Sequence, residues 1–354
     1  MDIQKLGFNP GFQDRIDPAK LAAFQIARVI AVNKNSYIVS NGKHDIFAEI
    51  TGKLMFDADS PLDYPAAGDW VYAQFVDDES FAVIHEIVPR KSVLTRKTSG
   101  KKVEFQVIAA NIDTAMIMQS LDSNYNLRRL ERYLVMINES NIHPVVLLSK
   151  SDLLPPEAIE EKKADIQKVM PDIPIVAFSN KDNAGLERVK ELLICGQTFC
   201  LLGSSGVGKT TLLNNLIDEE LFETQTVREK DGRGRHTTTR RQLVILENGA
   251  MIIDTPGMRE LGVMAAESGL HDTFTEIAEL SGQCRYNDCT HTLEEGCAIL
   301  AAIEEGTISR ERYQNYLKMT KESIHNEMSY FEKRQRDKQF GKMCKSIMKH
   351  KKNR

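Results

Sequence analysis

The stretch Gly203-Ser204-Ser205-Gly206-Val207-Gly208-Lys209-Thr210 restricts the fold more than any other part of the chain, because it matches G-x-x-x-x-G-K-[ST] at every fixed position. It follows apolar Phe199-Cys200-Leu201-Leu202 and precedes Leu212-Leu213-Asn214-Asn215-Leu216, so a buried strand turns into a helix here. The glycines permit backbone conformations in which successive N–H groups point inward at phosphate oxygens, near the positive end of the helix dipole. Lys209 then reaches the β- and γ-phosphates, the Thr210 hydroxyl ligates Mg²⁺, and Val207 and Thr211 complete the phosphate-binding set. A glycine-rich surface loop is the plain alternative, but it leaves the coincidence of strand, glycines, Lys-Thr and helix unexplained.

Strand-like and helix-like segments alternate well upstream of this loop, at 114–118, 127–139, 144–148, 157–169, 173–178, 186–193 and 198–202. That rhythm predicts a parallel sheet with helices on both faces. Leu147-Leu148-Ser149-Lys150-Ser151-Asp152 ends one strand with x-K-x-D. A carboxylate at Asp152 can accept from both guanine N1–H and N2–H₂, a pair that adenine does not offer, with the Lys150 stem over the base. Alone the tetrapeptide is a common strand-end turn. Ser179-Asn180-Lys181 also follows a strand, where a backbone N–H can meet guanine O6.

Downstream, Met251-Ile252-Ile253-Asp254-Thr255-Pro256-Gly257 reads as a buried strand ending in D-x-x-G. Asp254 is expected to hold Mg²⁺ through water and the Gly257 N–H to sense the γ-phosphate. Arg233-Gly234-Arg235-His236-Thr237-Thr238-Thr239 is expected as a first switch loop, with Thr238 assigned to Mg²⁺. Met258 stands where a water-orienting Gln often follows D-x-x-G, so the catalytic group must come from elsewhere; His236 is the candidate beside Lys209, with a role confined to RNA or solvent as its alternative.

The order of these parts is inverted, since the base-reading residues precede the phosphate loop. The chain reads as a circularly permuted P-loop GTPase domain, and with G-R-H-T-T-T at 234–239, D-T-P-G at 254–257 and a cysteine cluster discussed below it resembles the RsgA (YjeQ) family over about residues 24–350. The resemblance implies a GTPase that acts in maturation of the small ribosomal subunit. It also supports His236 as the water-orienting residue. One departure is visible: the family usually has Asn where this chain has Ser149, and a shorter hydroxyl cannot reproduce both amide contacts, which predicts weaker guanine affinity.

Before the sheet, five short runs at 24–32, 36–40, 45–50, 69–76 and 81–88 are separated by turn chemistry such as Asn41-Gly42. They can hide their edges by curling into an OB-type β-barrel, a fold that often binds oligonucleotides, with a purely structural module as the alternative. The division expected is an N-terminal segment (1–23), the barrel (24–90), a basic linker (91–106), the GTPase domain (107–265), a zinc-binding helical domain (266–332) and a basic tail (333–354). The overall class is multidomain α/β.

The zinc expectation comes from Cys284-x₄-Cys289-x-His291-x₅-Cys297, three thiols and an imidazole in a turn-rich segment. These four ligands would close a structural zinc site, leaving no open position for substrate. Redox-active or free cysteines are the alternative, while Cys195 and Cys200 read as buried small hydrophobes. Ser309 is expected to cap a long helix carrying Tyr313, Tyr316, Leu317 and Ile324 on or near one stripe. Net charge is −4, yet the segment from 331 to 354 holds ten Lys/Arg against two Asp/Glu, so a +8 tail follows a body of −12. That asymmetry fits a polyanionic partner, or a merely solvated tail.

No apolar run approaches the roughly 18 residues of a membrane span, and Met1-Asp2 opens no secretory signal, so a cytoplasmic, non-membrane protein is expected. The expected partners are the small ribosomal subunit with its rRNA and GTP or GDP, met by a monomer carrying one structural Zn²⁺ and Mg²⁺ with GTP. Two other classes compete. A P-loop kinase acting on a small molecule needs an acceptor pocket and a lid that are not legible, and a nucleotide-independent RNA-binding scaffold leaves the GTP motifs without purpose.

Overall fold

A computed structural model describes residues 2–33, 36–76, 78–97, 104–217, 241–254 and 266–327. It divides into two compact units, residues 1–98 with 104–261, and residues 99–103 with 262–354.

In the first unit the N-terminal segment forms a 3₁₀ turn over Asp2–Leu6, the short helix α1 (Pro10–Gln13) and a second 3₁₀ turn over Lys20–Ala22. Its apolar side chains Leu6 and Phe12 are buried with Trp70, Tyr72 and Val88, so this stretch covers the outer side of the barrel strand that carries Trp70 and Tyr72, opposite the face that Val71 and Ala73 turn inward. The barrel strands are β1 (Gln25–Val32), β2 (Tyr37–Ser40), β3 (Asp45–Ile50), β4 (Trp70–Val76) and β5 (Phe81–Ile87), with helix α2 (Gly52–Asp57) between β3 and β4. Their order β1-β2-β3-β5-β4 closes by a β1–β4 pairing, and β3 runs parallel to β5. Alternate residues point inward: Ala27, Val29, Val39, Ile46, Ala48, Val71, Ala73, Ala82 and Ile84 form the barrel core. Closure removes free edges, as the turn-rich sequence required.

The stretch expected as a linker is more ordered than its charge suggested. Strand β6 (Val93–Lys97) pairs antiparallel with β7 (Phe105–Ala110), a ribbon that polar Thr95, Arg96 and Lys97 concealed from a reading based on apolar runs.

The sheet that follows contains β8 (Thr114–Ser120), β9 (His143–Ser149), β10 (Ile175–Ala177), β11 (Thr198–Leu202), β12 (Arg241–Ile245) and β13 (Met251–Asp254). Helices α3 (Leu127–Glu139), α4 (Pro156–Val169), α5 (Leu186–Glu191) and α6 (Lys209–Ile217) connect or flank these strands. Strand order is β10-β9-β8-β11-β13-β12, parallel except for β12, which is antiparallel to β13. Successive residues alternate between two cores. Ala115, Ile117, Val146, Leu148, Cys200, Leu202 and Ile253 pack with Leu130, Leu134 and Ile137 of α3 and Ile166 of α4. Met116, Met118, Leu147, Phe199, Leu201 and Ile252 pack with Leu186 and Val189 of α5 and Leu212 and Leu213 of α6. Burial on both faces is why these strands read as continuous apolar runs.

The barrel and this sheet are one hydrogen-bonded surface, because the end of β1 pairs with β12 at Ala31↔Gln242 and Val32↔Arg241. Arg28 reinforces the joint. Its fully buried guanidinium donates to Leu6 O, to Gly68 O at 3.3 Å and to Thr198 Oγ1 at 2.7 Å, so one side chain ties the N-terminal segment, barrel and sheet together. Burial pulls its pKa down to about 10. Gly68, at φ 93°, lies so close to β7 that a Cβ there would stand 2.2 Å from Ala110 O.

The second unit contains α7 (Glu267–Thr273), α8 (Thr275–Ser281), α9 (Ala298–Glu304) and α10 (Arg310–Glu327), with the cysteine segment between α8 and α9 in the chain. Ser309 caps α10 as expected, its Oγ accepting from Arg312 N at 3.2 Å. The buried positions of α10 are Arg312, Tyr313, Met319, Ser323 and Asn326, whereas Ile324 is exposed and so falls off the expected stripe. Cys200 is buried as expected, but Cys195 is exposed, at a turn where Gly196 donates to Gly249 O. No helix among the described residues is long and apolar enough to cross a membrane.

Candidate functional site

The chain leaves β8 outward to β9 and β10, then returns to place β11 on the other side of β8. At such a reversal the loops beyond the strand carboxyl ends diverge and open a crevice. The carboxyl ends of β9, β10, β11 and β13 all lead into or carry residues singled out above.

The phosphate loop, 203–208, joins β11 to α6. Gly203 has φ 146° and sits against β8, where a Cβ would approach Met118 O to 2.5 Å. Gly206 and Gly208 also have positive φ, at 80° and 95°. Geometry therefore favours glycine at the two fixed positions, 203 and 208, and at 206 as well. Lys209 Nζ donates to Gly203 O at 2.8 Å and Ser204 O at 2.9 Å, so its side chain stretches back over the loop. Thr210 and Thr211 follow in the first turn of α6, and Ser205 and Gly206 are exposed at the loop's mouth. Asp254 ends β13 in register with Leu201, two residues before Gly203 on the adjacent strand.

The segments expected to read the base meet this loop through side chains. Ser149 is fully buried at the end of β9, and its Oγ donates to Val207 O at 2.7 Å. Asn180 Nδ2 donates to Gly208 O at 3.1 Å. Residues 58 and 28 positions earlier are thus fastened to the phosphate loop from the β9 and β10 side. Ser179 turns its hydroxyl onto Asp152 Oδ1 at 2.9 Å and accepts from Lys181 N at 3.1 Å, while its own N–H donates to Ala184 O. The N–H groups of Ser179 and Lys181 thus both have acceptors within this turn. Asp152 is oriented rather than loose, and the exposed Lys181 ammonium stands 4.0 Å from its Oδ2.

Lys150 adopts a left-handed conformation at φ 60°, a cost of about 1 kcal/mol for a residue with a side chain. Its ammonium is held by Asp122 Oδ2 at 2.7 Å, and Ser151 N donates to Phe178 O. Asp122 in turn accepts from Ser120 Oγ and Asn124 N at 2.7 and 2.9 Å. Desolvation works against the Asp122 carboxylate, yet the Lys150 and Ser120 bonds outweigh it and hold the pKa at about 2. Asn124 also donates to Ser204 Oγ in the phosphate loop at 3.0 Å and accepts from Arg129 of α3. The motif reading missed this 120–126 turn. Its signal was the Asp-x-Asn turn chemistry directly after β8, which no spacing rule connects to a loop 80 residues later.

His236, Thr238 and Gly257 lie outside the described residues, as does the basic tail from 333 to 354.

The second unit brings Cys284, Cys289, His291 and Cys297 together, with one ligand atom of each within 4.8 Å of the others. Cys284 Sγ is 3.9 Å from Cys297 Sγ, and these two sulfurs stand 3.5 and 3.6 Å from His291 Nδ1. A tetrahedron with metal bonds of about 2.3 Å to sulfur and 2.0–2.1 Å to nitrogen separates its corners by roughly 3.5–3.8 Å. The donor set fits. His291 Nε2 meets Ser281 Oγ at 3.1 Å, fixing the ring so that Nδ1 faces the sulfurs. Burial disfavours the Cys284 thiolate, but the N–H groups of Ala298 and Ile299 and the neighbouring thiols lower its pKa overall, while desolvation first and then its neighbours push Cys289 up to about 11. Crowded thiols oppose one another's ionisation, a conflict that a bound dication removes. The backbone is braced by Tyr313 OH on His291 O and by Glu294 accepting from Thr290 and Thr292 N–H groups.

Comparison with known proteins agrees with this geometry. The family model described as RsgA GTPase matches residues 87–264. The small ribosomal subunit biogenesis GTPase RsgA 2 of Lactiplantibacillus plantarum is 43% identical over 305 residues, covering 86% of this chain and 84% of that one. A protein of the same name from Vibrio parahaemolyticus is 36% identical over 99% of this chain and 94% of its own length. The crystal structure of YjeQ from Thermotoga maritima superposes with a TM-score of 0.62 at 26% identity, covering 85% of this chain and 98% of that one. Neither a small-molecule kinase nor a nucleotide-independent scaffold finds support in these relatives. With the phosphate loop on a central strand entered after its base-reading neighbours, and matches of this extent, the chain belongs to the RsgA family of circularly permuted GTPases.

Proposed function

We propose that this GTPase binds the small ribosomal subunit with GTP in place, assists a late step of its maturation or the release of assembly factors, and leaves after hydrolysis. The observation that carries the nucleotide part is the pair of hydrogen bonds from Ser149 and Asn180 to the Val207 and Gly208 carbonyls, which brings base-reading and phosphate-binding segments around one crevice. The ribosomal part rests on relatives named small ribosomal subunit biogenesis GTPases.

In this reading Asp152 accepts guanine N1–H and N2–H₂, with Ser179 holding the carboxylate in place. The Lys150 stem covers the base while Asp122 anchors its ammonium. The loop N–H groups and Lys209 bind the β- and γ-phosphates, where an array fixed before reaction stabilises developing charge without reorganisation. Thr210, Asp254 and Thr238 would hold Mg²⁺, which when bound neutralises charge on the β- and γ-oxygens. His236 orients the attacking water, and contact with the subunit orders its loop. Gly257 senses the γ-phosphate and, since it precedes the cysteine-bearing unit in the chain, passes the nucleotide state toward the RNA-binding parts. Cys284, Cys289, His291 and Cys297 hold one structural Zn²⁺. The barrel and the basic tail contact rRNA, the chain acts as a monomer, and its site of action is the cytoplasm.

The test is GTP turnover by the full chain with and without purified small subunits, together with subunit affinity in GDP and in a non-hydrolysable GTP analogue. Stimulated turnover and tighter binding in the analogue are expected. Equal affinity in both nucleotides, or turnover indifferent to the subunit, overturns the ribosomal reading. His236→Ala hydrolysing GTP at the parental rate with subunits present removes that residue from the mechanism.

A further inference from the structure

The Ser149 hydroxyl has one proton to give, and that proton is committed. The hydroxyl reaches Val207 O at 2.7 Å, with Gln119 O as a longer alternative at 3.4 Å. The connection between the two halves of the nucleotide crevice therefore needs another bond, and a carboxamide chain supplies it. Asn215 Nδ2 on α6 donates to Asn180 Oδ1 at 3.2 Å, and Asn180 Nδ2 donates to Gly208 O at 3.1 Å. Gly208 and Asn215 are seven residues apart, two helical turns along one face, so Asn180 lies along the helix that begins at the phosphate loop. Gly208 O also accepts Leu212 N at 2.9 Å, the first helical bond, leaving its second lone pair to Asn180. The fit is close: a Cβ on Gly208 would stand 2.8 Å from Asn180 Nδ2.

We infer that Asn180 and Asn215 form a series latch, in which Asn215 orients the Asn180 amide and Asn180 fixes the loop after β10 against the phosphate loop. They are positioning residues for guanine nucleotides in a chain whose Ser149 makes a single bond. The latch deepens the GTP-site reading and rests on it. Its physical effect is on the nucleotide as a whole. A ligand that spans both halves gains from their fixed separation, whereas one that occupies the phosphate half alone does not.

Isothermal titration of GDP and of inorganic tripolyphosphate into the full chain tests this. Losing one neutral hydrogen bond weakens binding by about 3- to 10-fold, so Asn180→Ala should raise the GDP Kd by that factor. Tripolyphosphate affinity should stay within about twofold of parent, a split that general destabilisation does not produce. Asn215→Ala should show a smaller GDP loss, about 2- to 5-fold, and the double variant should match Asn180→Ala alone because the two act in series. Parental GDP affinity in Asn180→Ala, equal losses for GDP and tripolyphosphate, or multiplying losses in the double variant each overturn the latch. A parent chain that takes up no GDP instead defeats the nucleotide reading on which the latch stands.

Discussion

Replacing Asp152 by Asn isolates the origin of base selectivity, because the surroundings of this carboxylate dictate how the amide will sit. Ser179 Oγ donates to Asp152 Oδ1 at 2.9 Å, so in the variant the amide oxygen keeps that place and the NH₂ falls where Oδ2 was. An acceptor for guanine N2–H₂ becomes a donor pointing at a donor. The loss is one hydrogen bond to a charged group, about 1.5–3 kcal/mol, plus part of the cost of leaving two donors unmatched. Since the Asp152 side chain retains 16% exposure, water relieves some of the second cost, and a total of about 2–4 kcal/mol follows. That is roughly 30- to 700-fold in GTP affinity. Xanthine nucleotides carry a carbonyl in place of the exocyclic amine and should gain relative to GTP, while ATP should stay weak. Fluorescent-nucleotide competition on parent and variant, with circular dichroism to confirm the fold, measures this. GTP affinity within threefold of parent, or equal losses for guanine and xanthine nucleotides, would refute the placement of Asp152 at the base.

Three further outcomes follow from the geometry. Gly203→Ala places a methyl 2.5 Å from Met118 O, so the β8–β11 contact must open; a stability loss of about 1–3 kcal/mol in urea unfolding is expected, together with weaker phosphate binding. Cys284→Ser, or prolonged chelation of the parent, should release about one zinc per chain by plasma emission analysis. Proteolysis should then cut within 266–327 while the first unit resists; a chain purified without zinc whose Cys284→Ser variant resists protease like the parent would contradict the metal reading. Asp122→Asn tests pH dependence. The folded pKa of about 2 lies below the ordinary carboxylate value, so the contribution of Asp122 is fully present above about pH 4 and is lost as pH falls toward 2. The melting difference between Asp122→Asn and parent should be constant from pH 7 to 5 and shrink toward pH 2, and it should be small, because the pair is partly exposed at 35% and 26%.

Much of this architecture was readable from residue pattern, and the exceptions have physical reasons. The barrel strands and the sheet strands announced themselves because each buries one or both faces, and helix α3 was bounded by an Asn126 cap whose Oδ1 accepts from Arg129 N. Strand β6 escaped notice because Thr95, Arg96 and Lys97 are only half-buried, and backbone pairing with β7 places a strand that side-chain periodicity does not advertise. Strand β12 escaped for a related reason: it follows a long polar stretch and gains its place from β13 on one side and β1 on the other. In the candidate site the glycines, Lys209 and Asp152 could be named from spacing, since spacing encodes backbone turns. Asp122, Asn124 and Asn215 could not, because their roles depend on which strand ends the topology makes neighbours. The Ser149 departure shows the limit in reverse. Read alone it forecast weaker guanine affinity and could not say which contact remains, which the fold shows as a hydroxyl bond to Val207 O with Asn180 bonded to Gly208 O nearby.

The pairing of β1 with β12 carries a mechanical consequence. Strand β12 begins directly after residues 218–240 and runs back beside β13, which delivers Asp254 to the crevice. The first barrel strand is therefore a splint along the return path from the expected first switch. Backbone hydrogen bonds thus run without a break from the barrel to the strand that ends at Asp254, so a displacement of the barrel has a direct covalent and hydrogen-bonded route to that strand end.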